Sequence, residues 1–267
     1  MNTFKYKPEG WDNKISVLNK NNINEYIEKK EILQGLVKKC DDRYNLYINL
    51  GNEITGIMPR SEIECINTEI NGLPKEELCT GKVHKFVQFK VKEKLNENEV
   101  ILSRKEVQLD AINSVKNELQ EGQIVSGIVK NIKPYGAFIE IGGGFVGMAH
   151  IEDLSVARIK SPSERLKIGQ KLNIMIKCID KEKGKVILSY KELLGTWEEN
   201  VKKFKVGTIN KGIIRETEKN KNGIFIELAP NLVGMAEYQE GLEYGKKVDV
   251  YIKRIDTEKK KIKLKII

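Results

Sequence analysis

This chain has few of the residues from which metal centres and redox sites are built. Its 267 residues include only four cysteines and two histidines. The cysteines, Cys40, Cys65, Cys79 and Cys178, form no CxxC pair, whereas a zinc site needs ligands gathered at short spacing. We therefore expect reduced thiols, as in a cytosolic protein, and neither a metal nor another cofactor.

Catalytic motifs are equally scarce. The sequence contains no GxSxG, HExxH or P-loop pattern. Its glycine triplet, Gly142-Gly143-Gly144, lies between two strand-like segments, whereas a phosphate-binding loop would open a helix. The triplet is therefore interpreted as a turn. We expect no enzymatic activity and no small-molecule substrate.

Long apolar runs are also missing. No segment approaches the roughly 20 apolar residues that a membrane helix needs. The first 14 residues, MNTFKYKPEGWDNK, lack the apolar core of a secretory signal. The composition is otherwise ordinary, with 40% hydrophobic and 32% charged residues. These absences predict a cytoplasmic protein that does not bind membranes.

Charge is unevenly distributed along the chain, whose net charge is +9. Residues 31–103 hold 12 acidic and 10 basic side chains, whereas residues 195–267 hold 11 acidic and 16 basic ones. A basic surface favours salt-dependent binding of a polyanion. It is equally explained by solubility, so charge alone leaves the partner open.

An internal repeat is the strongest sign of organisation. Residues 127–154 read GIVKNIKPYGAFIEIGGGFVGMAHIEDL, and residues 212–239 read GIIRETEKNKNGIFIELAPNLVGMAEYQ. Gly136 and Gly147 align with Gly223 and Gly234, in both cases at an offset of 87 residues. A more divergent copy begins at Ile32. The chain therefore consists of three similar units.

Each unit reads as about five short alternating segments with turn residues between them, which predicts a small all-β domain. In the second copy we place strands near residues 123–132, 135–141, 145–150, 171–180 and 185–190. Closing five strands into a barrel removes exposed sheet edges, which is the architecture of the OB-fold. Apolar residues three or four apart predict helices over residues 104–119 and 191–204, which we expect to dock on the adjacent barrels.

The predicted fold class is all-β, with three tandem five-stranded OB-fold barrels joined by short helical linkers. The predicted divisions are a lead segment (1–30), a degenerate first domain (31–105), a helical linker (106–120), a second domain (121–192), a linker (193–204) and a third domain (205–267).

The second copy concentrates aromatic, histidine and basic residues at strand ends. Tyr135 and Phe138 lie three apart, His150 ends the next strand, and Lys133 and Arg158 flank them. Aromatic rings can stack the bases of single-stranded nucleic acid while cations meet its phosphates. The alternative is that both rings belong to the core and His150 caps a strand, because large aromatic residues are mostly buried.

The second copy, with its IKSPSE loop and DKEKGKVILSYKE ending, resembles the RNA-binding domain family named after ribosomal protein S1. The resemblance implies an OB-type barrel that binds single-stranded RNA, including mRNA. It assigns binding positions to Tyr135, Phe138, His150, Asp180 and Lys185. At Lys185 the family often has arginine, so we expect a phosphate contact without the planar guanidinium fork.

The flanking copies resemble the family less closely. In the third, Phe225 and Lys261 match and are predicted auxiliary RNA contacts, whereas Asn222 and Glu237 replace the tyrosine and the histidine. In the first, Tyr44 and Tyr47 are present, but proline stands at the histidine position. Its GIMPRSE segment resembles the leading domains of ribosomal protein S1, which implies protein docking.

Three functions remain open at this point. The first is a shortened relative of ribosomal protein S1 that binds mRNA and acts in translation, with the 30S ribosomal subunit as candidate partner. The second is a regulatory RNA-binding factor away from the ribosome, in RNA decay, termination or stress. The third is a protein-interaction scaffold whose barrels are vestigial.

Overall fold

Three closed barrels of five strands each make up most of the protein. The computed structural model describes residues 4–66, 68–217 and 223–267. The strands are β1 Leu33–Cys40, β2 Leu46–Asn49, β3 Thr55–Met58, β4 Phe86–Lys94, β5 Glu99–Ser103, β6 Ile124–Lys133, β7 Gly136–Gly142, β8 Phe145–His150, β9 Lys171–Asp180, β10 Lys185–Ser189, β11 Ile209–Thr217, β12 Ile224–Ala229, β13 Leu232–Ala236, β14 Lys247–Asp256 and β15 Lys261–Ile266. The tandem OB-fold architecture expected from the repeat is confirmed.

All three barrels share one topology. In the first, the order is β1-β2-β3-β5-β4, with β4 pairing back onto β1. The third and fifth strands of each barrel run parallel, and the other neighbouring strands are antiparallel. Apolar residues that alternate along each strand point inward and fill one core per barrel.

A close approach inside each barrel explains a glycine in its first strand. A Cβ on Gly127 would lie only 2.6 Å from Cγ2 of Ile139 on the neighbouring strand. The corresponding pairs are Gly35 with Ile48 at 2.5 Å and Gly212 with Ile226 at 2.4 Å. Any larger residue would displace a core isoleucine, so the repeated glycine follows from packing.

The helices are short and lie outside the barrels. They are α1 Ile23–Lys29, α2 Glu76–Thr80, α3 Arg104–Asn117 and α4 Trp197–Val201, with 3-10 turns at Lys20–Asn22, Arg60–Glu62, Ile151–Asp153, Pro162–Glu164 and Lys191–Leu194. Within the described ranges, none is long and apolar enough to cross a membrane.

The first predicted linker helix is present and docked. Ser103 caps α3, because its hydroxyl accepts the Glu106 N–H at 3.0 Å. Val107, Ala111 and Val115 are fully buried, and the last two join the core of the second barrel. This stripe attaches α3 to the barrels instead of leaving it as a free tether.

The second predicted linker helix is interrupted. A 3-10 turn ends at Leu194, and α4 begins only at Trp197. Gly195 lies between them with φ near +80°, outside the helical region. A continuous helix over residues 191–204 was therefore a wrong expectation. Of the residues in this apolar spacing, Trp197, Val201 and Phe204 pack against the core of the third barrel.

A buried cluster of charges joins the lead segment to the first two barrels. Arg104, only 2% exposed, donates to both carboxylate oxygens of Glu9 at 2.7 and 3.1 Å and to Glu64 at 3.0 Å. The backbone N–H of Glu9 donates to Glu140 of β7 at 2.8 Å, and Lys130 forms an ion pair with the same carboxylate at 2.6 Å.

The pKa values of two carboxylates in this cluster are shifted in opposite directions. Burial alone would raise the pKa of Glu9, but Arg104 and Lys82 hold it at about 2. At Glu140, burial and the charge of Glu9 raise the pKa, against the attraction of Lys130. Because Glu9 depends on Arg104 for its charge, this junction is sensitive to loss of the guanidinium.

A second set of contacts holds the third barrel against the second barrel. The 151–168 loop of the second barrel contacts it through backbone and side chains: Ala157 N–H donates to the Pro230 carbonyl at 2.9 Å. Arg165 pairs with Glu227 at 2.6 Å, and Arg215 pairs with both Glu164 and Glu227. The loop following His150 is thus shaped by its neighbour.

Candidate nucleic-acid interface

Tyr135 and Phe138 lie together at the surface of the second barrel. Tyr135 occupies the tight turn between β6 and β7 and is 51% exposed, and Phe138 on β7 is half-buried. Their ring centroids are 6.1 Å apart at an interplanar angle of 83°. The two rings therefore support each other edge to face and are not core residues.

His150 lies beside this pair because the backbones of two strands pack closely. His150 is paired directly with Gly136, the residue between Tyr135 and Ala137. A Cβ on Gly136 would lie 2.5 Å from the Ala149 carbonyl oxygen, so only glycine fits there. His150 also caps the following 3-10 turn, with Nδ1 3.5 Å from the Glu152 N–H donor. His150 therefore caps this turn and not a strand, and it is half-exposed.

Two apolar side chains extend the aromatic surface across the sheet. Phe138 is paired with Met148, and Met148 with Ile187 of β10. Paired residues share a face of the sheet. Met148 is half-buried and Ile187 is exposed. Sequence reasoning missed them, although their positions two residues before His150 and two after Lys185 place them on the same face.

Basic residues border this surface on two sides. Lys133 is paired with Gly136 and is exposed near the Tyr135 turn. Lys185 begins β10, two residues from Ile187, and is also exposed. Asp180 pairs with Lys185, but its carboxylate accepts the Lys183 N–H at 2.9 Å. Asp180 therefore shapes the turn that presents Lys185.

Another carboxylate near the interface is neutralised within the protein. Asp153 is buried and accepts from Lys177 at 2.7 Å and from Lys191 at 3.1 Å. Burial would raise its pKa, but these two ammonium groups lower it below the usual value. Asp153 therefore stays ionised and screened, and it adds little repulsion toward an anionic ligand.

Arg158 is not grouped with the tyrosine and the histidine. It lies further along the 151–168 loop, where Nη1 donates to both carboxylate oxygens of Glu216 on β11 at 2.8 and 2.9 Å. It borders a surface that also includes Phe225 and Lys261, the two residues predicted as auxiliary contacts. The structure thus assigns Arg158 to the third barrel's surroundings.

On the first barrel, the face that corresponds to the aromatic surface of the second barrel has two tyrosine rings, and each is covered by a cation of the same barrel. The Arg60 guanidinium lies 4.9 Å from the Tyr44 ring centroid, and the Lys39 ammonium 4.4 Å from that of Tyr47. Glu99 begins β5 at the position that Lys185 holds in β10. A base would have to displace these cations next to an acidic side chain, so this face is poorly suited to RNA.

The matching face of the third barrel keeps part of the pattern. Phe225 is paired with Met235 as Phe138 is with Met148, and Lys261 begins β15. Glu237 stands at the histidine position, is exposed, and lies 3.4 Å from the Lys253 ammonium. Asn222, at the tyrosine position, lies outside the described residues.

In the described part of the chain, no three or more histidine, cysteine, aspartate or glutamate side chains are arranged to hold a metal ion. The outer face of the second barrel offers groups for stacking and for charge interactions. It combines an aromatic pair, an apolar strip and two exposed lysines.

Comparison with known proteins places this geometry in context. A sequence profile of the S1 RNA binding domain matches residues 26–105 and 118–191. A curated relative, 4-hydroxy-3-methylbut-2-enyl diphosphate reductase of Clostridium tetani, is 29% identical over 94% of this chain and 42% of that protein. The small ribosomal subunit protein bS1 of Staphylococcus aureus is 34% identical over 67% of this chain and 50% of that protein. The same protein of Pseudomonas aeruginosa is 34% identical over 70% and 35%. The chain spans half or less of each relative's length.

Proposed function

Since this chain belongs to the S1 RNA-binding domain family, we propose that it binds single-stranded RNA mainly through the outer face of the second barrel. The observation that carries the proposal is the half-exposed Tyr135 ring held against Phe138 beside His150. Bases stack on such rings whatever their sequence, and exposed lysines meet the phosphates. The proposed role is binding in the cytoplasm, without bond chemistry.

The reductase relative does not alter this proposal. This chain covers 42% of that protein, and the shared part contains the binding-domain matches at residues 26–105 and 118–191. Stacking and charge account for the arrangement of the second barrel. RNA binding is therefore the simplest function for the part that the two proteins share.

Salt dependence tests the proposed phosphate contact at Lys185. Changing Lys185→Gln is expected to weaken binding of oligouridine severalfold at low salt. It should also make the slope of log affinity against log salt shallower by about 0.7. A protein with one phosphate contact fewer releases fewer counterions when it binds RNA. The measurement is fluorescence polarisation at several salt concentrations. Lys94→Gln, which removes an exposed lysine from the first barrel, is the control and should leave the slope unchanged; equal slopes in all three proteins would contradict the contact.

For the place of action, we propose mRNA binding in translation at the small ribosomal subunit. The support is the similarity to two bS1 proteins. The first barrel, with its rings occupied by Arg60 and Lys39, would dock on protein while the second barrel holds mRNA.

Sedimentation separates this role from one away from the ribosome. In a sucrose gradient of a cell lysate, we expect the full-length protein to migrate with the small subunit and to stay there after RNase treatment of free mRNA. Consistent absence from that fraction would contradict the translational role. Retention of RNA binding in that case would favour regulation of RNA decay, termination or stress.

A further inference from the structure

A groove of about 640 Å³ lies between the 151–168 loop of the second barrel and the outer face of the third. We call it the junction groove. Val156 and Arg158 line it from the loop, and Phe225, Met235 and Lys261 line it from the third barrel. Since two barrels contribute, neither forms this surface alone.

The wall supplied by the second barrel is held in place before any ligand arrives. The Val156 N–H donates to the Asn231 side-chain oxygen at 3.1 Å, and the Ala157 N–H donates to the Pro230 carbonyl at 2.9 Å. Asn231 in turn donates to the carbonyls of Lys191 and Gly195. A groove fixed in this way requires little ordering when it binds.

The floor of the groove is apolar and accessible. Val156 is 60% exposed, and Met235, which is paired with the half-buried Phe225, is 42% exposed. Contact between such side chains and a flat apolar group is favourable, because it removes apolar surface from water. A nucleobase presents such a face, and aromatic stacking tolerates any base.

The rim of the groove is basic. Its lining includes five cationic side chains and one carboxylate, Glu216. Three of the cations are already paired, Arg158 with Glu216, Arg215 with Glu227 and Lys260 with Glu198. Within the described residues, the side chains of Lys261 and Lys263 form neither ion pairs nor hydrogen bonds. An apolar floor under unpaired cations matches the bases and phosphates of RNA better than it matches an acidic peptide.

The Arg158–Glu216 ion pair is suited to exchange. The Arg158 side chain is 78% exposed, and exposed ion pairs contribute little to stability. A phosphate offers the guanidinium at least as good an acceptor. We propose that the junction groove is a second RNA contact shared by two barrels, in which Arg158 exchanges Glu216 for a phosphate. This rests on the proposed RNA-binding function and extends its site to the third barrel.

Removing the competing carboxylate tests the exchange. Glu216→Gln is expected to strengthen binding of an oligouridine of about 15 nucleotides roughly two- to fivefold, since Arg158 becomes free and a repulsive charge is lost. Binding of an oligomer of about 5 nucleotides, which the second barrel can hold alone, should be unchanged. Adding Arg158→Gln should remove most of the gain and leave only the part that comes from the lost repulsion. A gain of the same size without Arg158, or no gain at all, would overturn the exchange.

A matched lysine pair tests the location. Lys263→Gln removes a cation from the junction groove, and Lys265→Gln removes an exposed cation two residues further along β15, outside it. We expect Lys263→Gln alone to weaken binding of the long oligomer about threefold or more. Equal effects would show diffuse charge attraction and refute the site. If the wild-type protein binds neither oligomer, the proposed function fails; if it binds both and the groove variants behave as wild type, only the junction groove fails.

Discussion

Replacing Tyr135 and Phe138 together by alanine is expected to lower the affinity for unstructured RNA more than tenfold. Each stacked base contributes roughly 1–3 kcal/mol, and these rings form the most exposed aromatic surface of the second barrel. The fold should survive, because Tyr135 lies in a turn and Phe138 is only half-buried. Fluorescence polarisation with labelled oligouridine measures the loss.

The first barrel provides a matched control for this experiment. Tyr47 is paired with Ile57 as Phe138 is with Met148, and Tyr44 precedes it by the same three residues. Because Arg60 and Lys39 already occupy these rings, Tyr44→Ala with Tyr47→Ala should change RNA affinity less than about twofold. Unchanged affinity after loss of Tyr135 and Phe138, with circular dichroism showing an intact fold, would rule out the proposed interface.

Replacing Arg104 by alanine is expected to lower the free energy of unfolding of the first two barrels by roughly 3–5 kcal/mol, because it leaves buried carboxylates without their partner. Glu9 would lose both of its guanidinium hydrogen bonds and Glu64 its ion pair. Alanine is the better helix former at this first position of α3, so helix propensity cannot explain a loss. Urea unfolding followed by tryptophan fluorescence, which includes Trp11 of the lead segment, measures the change.

The pH dependence of this loss identifies its cause. With Arg104 present, the pKa of Glu9 is about 2, below its unfolded value, so Glu9 stabilises the fold above about pH 4.5 and the gain disappears as the pH falls toward 2. Without Arg104, burial raises that pKa and the charged carboxylate destabilises the fold at neutral pH. The difference between the two proteins should therefore be largest near pH 7 and shrink in acid.

An exposed arginine gives the control for the stability experiment. Arg254 pairs with Asp256 at 3.1 Å on the surface of the third barrel, and Arg254→Ala should cost less than about 1 kcal/mol. A loss below about 1 kcal/mol for Arg104→Ala as well, or a loss that does not vary with pH, would show that the buried cluster is not what joins the first two barrels.

Local pattern predicted most of the secondary structure. The strands placed from alternation in the second copy differ from the observed ones by at most one residue at each end, since a half-buried strand needs period-two polarity. The helix at residues 191–204 failed because one glycine with positive φ outweighs an apolar spacing. Met148 and Ile187 were missed because they read as ordinary strand residues until the pairing of β7, β8 and β10 brought them beside Phe138.

By itself, the sequence determined the three-barrel organisation, the strands of the second barrel and the residues that carry the family's pattern, because strand periodicity and turn glycines are local signals and the repeat can be seen directly in the sequence. Tertiary structure alone decided how those units contact each other and which charged side chains remain available to a ligand. Glu9 reaches Arg104 across 95 positions of the chain, and Arg158 reaches Glu216 across 58. Periodicity states which face of a strand is buried, but not which neighbouring unit supplies the partner of a charge. For that reason Arg158, grouped with Tyr135 in the predicted site, lines the junction groove instead. The cations over Tyr44 and Tyr47 come from their own barrel, where the pairing of β1 with β2 puts Lys39 beside Tyr47.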